Sequence, residues 1–363
     1  MVKMLITDKV NKMNLLKSSI YINSIDNMLT DTDLSILSNK TVLITGASGM
    51  IGSCLIDALM RWNLRQELPC KIIALSRNEK TVNERFADYL GNENIKFLFH
   101  DINKELTGID DTVDYIIHAA SNADPVNIAK YPVDTLTANI IGTNNLLQFG
   151  LKHGMKRFLY ISSGEMYGQP NNTNEAFKEN YSGYIDYANP RSCYPSGKRA
   201  AEALCQSYIS QFNVDIVIAR PCHIFGPTMT KNDSRAVSEF FRKSIYEKKI
   251  VLKSKGLIER SHCYVIDAVK ALLIILKSGS CGEAYNIADP KYQMTIKEFA
   301  TKVAEISDAE LIYDLPNDVE MKGYSYIKRS VLNSEKLEEI GWKSMGNEKN
   351  RLEETFNILK MIC

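Results

Sequence analysis

The sequence predicts an α/β fold, a doubly wound parallel sheet with a smaller C-terminal lobe, and two observations lead to this class. Short apolar runs rich in β-branched residues alternate with helical stretches from residue 40 to residue 219, which is the pattern of parallel sheets covered by helices on both faces. The first run, Thr41-Val-Leu-Ile-Thr45, breaks into glycines at positions 46, 49 and 52. A chain of 363 residues is long enough for one large α/β domain with an added lobe.

The same alternation places the individual elements in order. Strands are predicted at 41–45, 71–76, 95–100, 115–118, 157–162 and 214–219, because each is a short apolar run. Helices are predicted at 50–63, 82–90, 132–153 and 196–212, where apolar residues recur at helical spacing. After residue 225 the alternation loosens into helices at 234–247, 265–277 and 294–307 and a short strand at 250–252.

Composition argues against several classes of partner. The net charge is +1 and charged residues make up 24% of the chain, so no overall positive field favours nucleic acid or an acidic membrane surface. The eight cysteines form no Cys-x-x-Cys pair and lie at no ligand spacing with histidine, which predicts reduced thiols and no metal site. The first 40 residues contain no continuous apolar segment, so we expect a cytoplasmic protein without a membrane anchor.

Gly46, Gly49 and Gly52 fit the fingerprint of a dinucleotide-binding turn between a strand and a helix. In that fingerprint the first glycine permits the tight turn, the second lets the backbone approach the pyrophosphate, and the third allows the helix to pack closely on the strand. The helix that follows offers unpaired amides and the positive end of its dipole to phosphate groups. The sequence therefore predicts a dinucleotide site at this turn, with further contacts from Ser48, Met50 and Ile51.

The end of the second predicted strand bears on the choice of dinucleotide. An acidic residue there hydrogen-bonds the free 2′-hydroxyl of NAD, whereas an arginine accommodates the 2′-phosphate of NADP. This chain has Ser76-Arg77-Asn78, with no carboxylate before Glu79. The pattern favours NADP slightly, and the alternative that Arg77 stacks on the adenine of NAD stays open.

A second motif, Tyr194-Pro-Ser-Gly-Lys198, indicates proton and hydride chemistry at an alcohol carbon. Residues i and i+4 are neighbours on a helix, so Tyr194 and Lys198 share a face. An ammonium near a phenol, together with the positive charge of a nicotinamide, lowers the pKa of the phenol. The tyrosine can then act as the general base that removes an alcohol proton. The segment Ser162-Ser163-Gly164-Glu165 precedes this motif, at the end of a predicted strand.

The stretch Ser163-Gly-Glu165-Met-Tyr-Gly168 resembles the Ser/Thr-x-Glu-x-Tyr-Gly motif of the extended short-chain dehydrogenase/reductase superfamily. The resemblance is to its NAD(P)-dependent nucleotide-sugar epimerases, dehydratases and decarboxylases, and it extends from about residue 40 to residue 342. Segments 118–125, 190–202 and 232–237 are similar to UDP-glucuronate decarboxylases. The resemblance implies a Rossmann fold, a bound NAD or NADP and a nucleotide-sugar substrate.

The resemblance also implies roles for the matching positions of this chain. Catalysis is expected from Ser163, Glu165, Tyr194 and Lys198, with Ser163 orienting the 4-hydroxyl of the sugar. Besides the glycine turn and Arg77, the dinucleotide is expected to contact Asp101, Ile102, Ala119, Ala120, Ser121, Asn139, Tyr194, Lys198 and Pro221. The nucleotide sugar is expected to contact Ser163, Glu165, His223, Arg235, Arg260 and Arg329. Members of the family commonly form homodimers through the helices that correspond to 132–153 and 196–212.

These motifs divide the chain into three parts. Residues 1–38 predict a helical extension that packs on the main domain, because their apolar residues recur at helical intervals. Residues 39–225 form the predicted NAD(P)-binding Rossmann domain. Residues 226–363 form mainly a substrate-binding lobe, with some strands or helices returning to the main sheet.

Two positions depart from the family pattern. Gly164 stands where decarboxylases usually have serine and thymidine-nucleotide 4,6-dehydratases have aspartate, and His223 replaces a common asparagine. His223 either contacts a phosphate or is a satisfied buried histidine. From Ser163, Tyr194 and Lys198 we expect transient oxidation at sugar carbon 4 with a tightly held cofactor, and, because Glu165 is present, a decarboxylase-like or 4,6-dehydratase-like outcome. The alternatives are a nucleotide-sugar 4-epimerase, an NADPH-dependent keto-sugar nucleotide reductase and a non-catalytic NAD(P)-binding relative.

Overall fold

The computed structural model describes residues 14–109, 112–171, 175–314 and 329–362. Its strands are β1 Thr41–Thr45, β2 Lys71–Ser76, β3 Ile95–Phe99, β4 Tyr115–His118, β5 Arg157–Ile161, β6 Ile216–Pro221, β7 His223–Phe225, β8 Lys249–Leu252, β9 Glu259–Tyr264, β10 Ala284–Ile287, β11 Asp289–Thr295, β12 Glu310–Tyr313 and β13 Arg329–Ser330. Its helices are α1 Ser19–Thr30, α2 Met50–Asn63, α3 Glu79–Arg85, α4 Pro125–Lys130, α5 Pro132–Lys152, α6 Cys193–Phe212, α7 Ala236–Tyr246, α8 Val265–Ser278, α9 Ile296–Ser307, α10 Glu335–Glu339 and α11 Glu348–Ile362.

The central sheet has seven parallel strands within the described ranges, in the order β3-β2-β1-β4-β5-β6-β10. Both faces of the sheet are covered, because Val42 and Ile44 of β1 pack into one apolar cluster while Leu43 between them packs into another. Parallel strands buried on both faces carry near-continuous apolar runs, which is why the sequence revealed them. The predicted fold class, a Rossmann-like doubly wound sheet, is confirmed.

The C-terminal part contributes both to this sheet and to a smaller one. Strand β10 joins the central sheet beside β6. In the smaller sheet β9 pairs with β7, β11 and β13, and β7 begins two residues after β6 ends. The carboxyl end of β6 therefore continues directly into the sheet that carries the predicted substrate-binding residues His223 and Arg260. The three-part division of the chain stays a prediction.

Several predicted boundaries differ from the structure. The helix expected at 82–90 is α3, Glu79–Arg85, because the side chain of Asn78 accepts a hydrogen bond from the Thr81 amide and starts the helix earlier. The strand expected at 214–219 runs from Ile216 to Pro221. Within the predicted extension 1–38, α1 spans Ser19–Thr30, and residues 1–13 lie outside the described residues. Strands β7, β9, β10, β11, β12 and β13 were not predicted. In the described part of the chain every helix is too short or too polar to cross a lipid bilayer.

His118, the last residue of β4, is a buried titratable group beside the predicted cofactor turn. Its Nδ1 lies 2.8 Å from the hydroxyl of Thr45, and its Nε2 has no hydrogen-bond partner within the described residues. Burial, with a smaller contribution from the charge of Lys198, lowers its pKa from 6.5 to about 3. The folded protein therefore holds this imidazole in its neutral form.

We expect the buried imidazole of His118 to make stability depend on pH. Between pH 6.5 and about pH 3 only the unfolded chain takes up this proton, so stability is complete above pH 6.5 and falls as the pH decreases. The loss from this one group is about 1.4 kcal/mol between about pH 7.5 and pH 5.5. Urea unfolding at both pH values measures the decrease in the free energy of unfolding. This decrease should be smaller by the same amount in His118→Asn than in the unaltered protein. An equal loss in both proteins would contradict the prediction.

Candidate active site

One cleft of about 680 Å³ runs along the carboxyl ends of the central strands. Sixteen of the residues expected at the site line it: Gly46, Ser48, Gly49, Met50, Ile51, Gly52, Arg77, Ala119, Ser121, Ser163, Glu165, Tyr194, Lys198, Pro221, His223 and Arg235. Ligands of open α/β sheets bind at this edge, where strands lead to helices on opposite faces. The structure thus brings the glycine turn, the Tyr-x-x-x-Lys motif and four of the six substrate-binding candidates to one cavity.

The glycine turn is packed so closely that side chains are excluded. Gly46 has a φ of +67°, and a Cβ there would lie 2.8 Å from the backbone of Ala119. A Cβ on Gly52 would lie 2.3 Å from the carbonyl oxygen of Gly46. The first amides of any helix have no intrahelical partner. The N-cap of α2 is Gly49, which has no side chain to accept from them, so these amides are available to a ligand. The backbone at this end of the cleft fits the diphosphate of a dinucleotide.

Beyond the turn, the cleft is bounded by Arg77 and by α3. Arg77 forms no ion pair or hydrogen bond with any described residue, and the hydroxyls of Ser48 and Ser76 lie 3.0 Å apart. Thr81, Glu84 and Arg85 of α3 line the same end, and the sequence did not indicate them. Because the ribose of the adenosine is recognised at the end of the second strand, this is the adenosine end of the cleft.

Tyr194 and Lys198 lie in the first turns of α6, as the spacing predicts. Both are buried, with 5% and 2% of their surfaces exposed, and Lys198 Nζ donates a hydrogen bond of 2.8 Å to the carbonyl of Ile161. Burial lowers the pKa of Lys198 to about 7. Burial and then the carboxylate of Glu165 raise the pKa of Tyr194 to about 12, although a hydrogen bond with Ser163 opposes this. In this structure, burial thus outweighs the lowering of the Tyr194 pKa that the sequence led us to expect from Lys198.

Glu165 lies on the short turn Gly164–Tyr167 that follows β5, where its amide donates to the hydroxyl of Ser163 at 3.2 Å. Its carboxylate accepts bonds of 3.2 and 2.9 Å from one guanidinium nitrogen of Arg191. A guanidinium bound to both oxygens stabilises the ionised carboxylate. Gly164, between Ser163 and Glu165, faces the methyl groups of Leu332, which would lie 3.0 and 3.3 Å from a Cβ at this position.

Positive groups gather around Glu165: His223 and Arg235 line the cleft, whereas Arg260 is not among its lining residues. Arg235 binds its neighbour Asp233 with bonds of 2.9 and 3.1 Å. His223 lines the cleft, with its ring 5.8 Å from that of His262, and burial followed by the charge of Arg260 lowers its pKa well below 6.5. Arg260 makes no ion pair or hydrogen bond within the described part of the chain. Burial lowers its pKa, and the nearby carboxylate of Glu165 partly offsets this effect.

Among the predicted dinucleotide contacts, the side chains of Asp101, Ile102 and Asn139 are engaged elsewhere. Asp101 accepts a hydrogen bond from the amide of Asn103, and Ile102 is 7% exposed and packs against α5. Asn139 is buried and accepts a hydrogen bond of 3.1 Å from Ser121. It therefore supports a residue that lines the cleft instead of lining the cleft itself.

Two further predicted residues lie beside the cleft without lining it. The amide of Ala120 donates to the hydroxyl of Thr45 at 3.1 Å. The guanidinium of Arg329 binds Glu259 at 2.7 Å and the carbonyl of Glu175 at 2.8 Å. In this structure Arg329 therefore ties β13 to β9, and its predicted contact with substrate stays a prediction.

The sequence also left some lining residues unassigned. Asp124 caps α4 and accepts bonds of 2.8 and 2.6 Å from the amide and hydroxyl of Ser234, which joins the two sides of the cleft. The Asp-Pro pair at 124–125 is a helix-start signal that could have revealed the cap, but no local signal reveals the contact across the cleft. The other unassigned lining residues include Asn122, Ala123, Asn127, Ser162, Thr228, Thr230, Lys231, Asn232, Asp233 and Ser330.

The doubly wound sheet, the glycine turn and the buried Tyr–Lys pair are typical of enzymes that use a nicotinamide dinucleotide. Residues 42–288 match the family model for the NAD dependent epimerase/dehydratase family. The chain belongs to this family, as its motifs predicted.

Curated relatives narrow the class. The chain is 32% identical over 281 residues to UDP-glucuronic acid decarboxylase 1 of Xenopus tropicalis, which covers 75% of this chain and 62% of that protein. It is 32% identical over 285 residues to UDP-glucuronic acid decarboxylase 6 of Arabidopsis thaliana, covering 77% of this chain and 79% of the relative. The protein is an NAD-dependent enzyme of the class that modifies nucleotide sugars, and the aligned part spans less than two thirds of the Xenopus relative.

Solved structures share the fold. UDP-glucose 4-epimerase of Thermotoga maritima, solved with UDP-glucose, has a TM-score of 0.75 at 22% identity, covering 88% of this chain and 99% of that one. The dTDP-glucose 4,6-dehydratase DesIV of Streptomyces venezuelae, solved with NAD, has a TM-score of 0.75 at 20% identity, covering 88% and 97%. At these identities the likeness establishes the fold and leaves the reaction open.

We expect Gly52→Ala to disable the glycine turn. Its new Cβ meets the Gly46 carbonyl at 2.3 Å, and because that neighbour is backbone, the turn must open. The dissociation constants of NAD⁺ and NADP⁺ should rise about tenfold or more in calorimetric titration. Ala58→Gly serves as the control, since it weakens the same helix by about 1 kcal/mol without touching the turn. Equal losses of cofactor affinity in both variants would contradict the prediction.

Proposed function

We propose that the protein decarboxylates a nucleotide-linked hexuronate by transient oxidation at sugar carbon 4. The observation that carries this proposal is the guanidinium of Arg260, which has no anionic partner in the described ranges and lies close enough to Glu165 for their charges to interact. A buried cation requires an anion, and a sugar carboxylate at this end of the cleft supplies one. The curated relatives with this activity support the same choice.

The residues at the end of the cleft formed by the glycine turn and Arg77 fit a bound dinucleotide. The backbone of Gly46, Gly49 and Gly52 would hold its diphosphate, and Arg77, which has no ion-pair partner among the described residues, would bind the 2′-phosphate of NADP. Ala119, Ser121 and Pro221 line the stretch of cleft between this turn and Tyr194. When bound, the nicotinamide supplies reversible hydride transfer, so the enzyme recycles its cofactor with no net redox change.

Tyr194 is the proposed base for the 4-hydroxyl. Its hydroxyl bonds with Ser163, and the charges of Arg191 and Arg235 lower its pKa against the effect of burial. Ser163 holds the sugar oxygen while Tyr194 takes its proton and later returns it. Lys198, bound to the carbonyl of Ile161, would hold the ribose of the dinucleotide beside Tyr194. The hydrogen bond of Ser163 and the charges of Arg191 and Arg235 favour the phenolate that this step requires, whereas burial and the carboxylate of Glu165 oppose it.

The groups beside carbon 5 of the sugar decide between decarboxylation and dehydration. A ketone at carbon 4 makes the sugar a β-keto acid, so the bond to the carboxyl carbon breaks with its electron pair moving to the ketone oxygen, and carbon dioxide leaves without needing a proton. Carbon 5 then takes a proton from water, which the carboxyl group of Glu165 would orient. Loss of a hydroxyl would instead need an acid, and position 164 carries no side chain while Leu332 fills the adjacent space. This favours decarboxylation over dehydration.

We also propose contacts to the nucleotide diphosphate and a homodimeric assembly. His223, neutral because its pKa is lowered, and Arg235 lie where the diphosphate of the nucleotide would extend. Helices α5 and α6 pack together and leave Val133, Ile141 and Phe212 exposed, and we propose that these two helices form a homodimer interface. The cytoplasmic location stays a prediction.

Purified protein incubated with UDP-glucuronate should yield a product lighter by the mass of carbon dioxide, as measured by mass spectrometry. Tyr194→Phe should lower the rate by about 10²- to 10⁴-fold. Arg260→Gln should weaken binding of the hexuronate about tenfold or more and leave binding of UDP-glucose, which lacks the carboxylate, unchanged. Loss of water, or an isomer of equal mass, would contradict decarboxylation, and net consumption of NADPH would indicate a reductase.

The preference for NADP has a separate test. Arg77→Ala should weaken NADP⁺ about tenfold or more relative to NAD⁺, because only the 2′-phosphate needs this cation. Lys80 is an exposed cation on α3 that does not line the cleft. Lys80→Ala is therefore the matched control, and it should change the affinity for neither NADP⁺ nor NAD⁺. If Arg77→Ala weakens both dinucleotides equally, Arg77 contacts the adenine and the preference for NADP is wrong. Calorimetric titration of both dinucleotides measures these ratios.

A further inference from the structure

A buried carboxylate connects the N-terminal helix to the body of the protein. Asp57 of α2 is 0% exposed. It accepts a hydrogen bond of 2.7 Å from the hydroxyl of Tyr21 in α1 and one of 3.1 Å from the hydroxyl of Tyr89. The guanidinium of Arg85, at the end of α3, binds both of its oxygens. One side chain thus joins α1, α2, α3 and the turn after α3.

Two of these connected elements are walls of the cofactor cleft. Helix α2 begins at the glycine turn, and Asp57 lies two helical turns after Met50 on it. Arg85 lines the adenosine end of the cleft together with Thr81 and Glu84. The position of α3 relative to α2 therefore sets the width of the cleft at that end, and the contact of Arg85 with Asp57 holds the two helices together.

The contact depends on all of its donors. A fully buried carboxylate needs hydrogen bonds to both oxygens, and removing a partner from a buried ion pair costs more than the pair itself contributes. Arg85 Nε is buried and has no partner among the described residues, so the terminal nitrogens that bind Asp57 provide its polar anchorage. Tyr21, fully buried itself, is the donor to Asp57 that comes from outside the family-matched region 42–288.

We infer that α1 is a positioning element of the dinucleotide site: Tyr21, acting through Asp57 and Arg85, holds the adenosine wall of the cleft in place. Tyr21 is a positioning residue because it contacts Asp57 and does not line the cleft. The inference rests on the proposed use of this cleft for a dinucleotide and is independent of which sugar reaction follows.

The other anchors of α1 provide matched controls. Ser24 donates a hydrogen bond of 3.0 Å to Glu354 and accepts one of 3.2 Å from Arg351, both on α11. Asp26 binds Arg61 at 3.0 Å and Arg65 at 2.8 Å. These contacts hold the same helix to the protein, and none of their residues lines the cleft.

The test compares Tyr21→Phe, which keeps the buried ring and removes its hydroxyl, with Ser24→Ala. Calorimetric titration with ADP-ribose, NAD⁺ and NADP⁺ should give dissociation constants raised about three- to tenfold in Tyr21→Phe. ADP-ribose should lose as much affinity as the whole dinucleotide, since the effect lies on the adenosine half. The KM for the nucleotide sugar and kcat at saturating dinucleotide should not change. Ser24→Ala should be destabilised to a similar degree and bind all three ligands as the unaltered protein does.

Unaltered affinity for the three ligands in Tyr21→Phe would overturn the inference. An equal loss of affinity in Ser24→Ala would also overturn it, because any weakening of the packing of α1 would then have the same effect as loss of the Tyr21 hydroxyl. A loss for NAD⁺ without one for ADP-ribose would also overturn it. If the unaltered protein binds none of the three ligands, the proposed cofactor site fails together with the inference. If the affinities change as expected while UDP-glucuronate gives no decarboxylated product, the inference stands and the proposed reaction is wrong.

Discussion

The close approach of Gly52 to the carbonyl of Gly46 is the constraint on which the rest of the site depends. The two residues are so near that a Cβ would lie 2.3 Å from the carbonyl oxygen, and this contact sets the start of α2 directly after β1. Gly46 also packs closely on Ala119, just after β4, where a Cβ would lie 2.8 Å from the backbone. The turn therefore fixes the spacing of two adjacent strands and a helix N-terminus, and the cleft extends from this point in both directions.

Burial shifts the pKa values of several ionisable groups around Tyr194 and Glu165. Tyr194, Lys198 and Arg260 each have a pKa shifted by burial toward the neutral form. Such shifts occur where a site is arranged to receive a charged ligand or to move protons. Glu165 is already compensated by Arg191, and Arg235 by Asp233. Arg260 has no such partner among the described residues, and in the proposed reaction it would bind the carboxylate of an acidic sugar.

The cleft is closed by contacts between parts of the chain that are distant in sequence. Asp124 binds Ser234 across it, and the hydroxyl of Thr228 donates to the carbonyl of Met50 at 2.9 Å. The first turn of α2, which follows the glycine turn, thus also contacts the segment that leads into α7. Two helical turns further along α2, Asp57 makes a comparable connection between α1 and α3. The helix that follows the glycine turn is consequently held along its length.

The sequence by itself determined the features that depend on local spacing. Apolar runs identified six strands of the central sheet, the glycines identified the turn, and the interval from Tyr194 to Lys198 placed both on one helix face, since these signals involve residues that are close in the chain. Only the tertiary structure decided which charges are paired. Glu259 pairs with Arg329 while Arg260 has no ion-pair partner in the part of the chain that the structure describes, and Leu332 occupies the space beside Gly164. These contacts join residues separated by long stretches of chain, and they form only once the lobe has packed against the sheet.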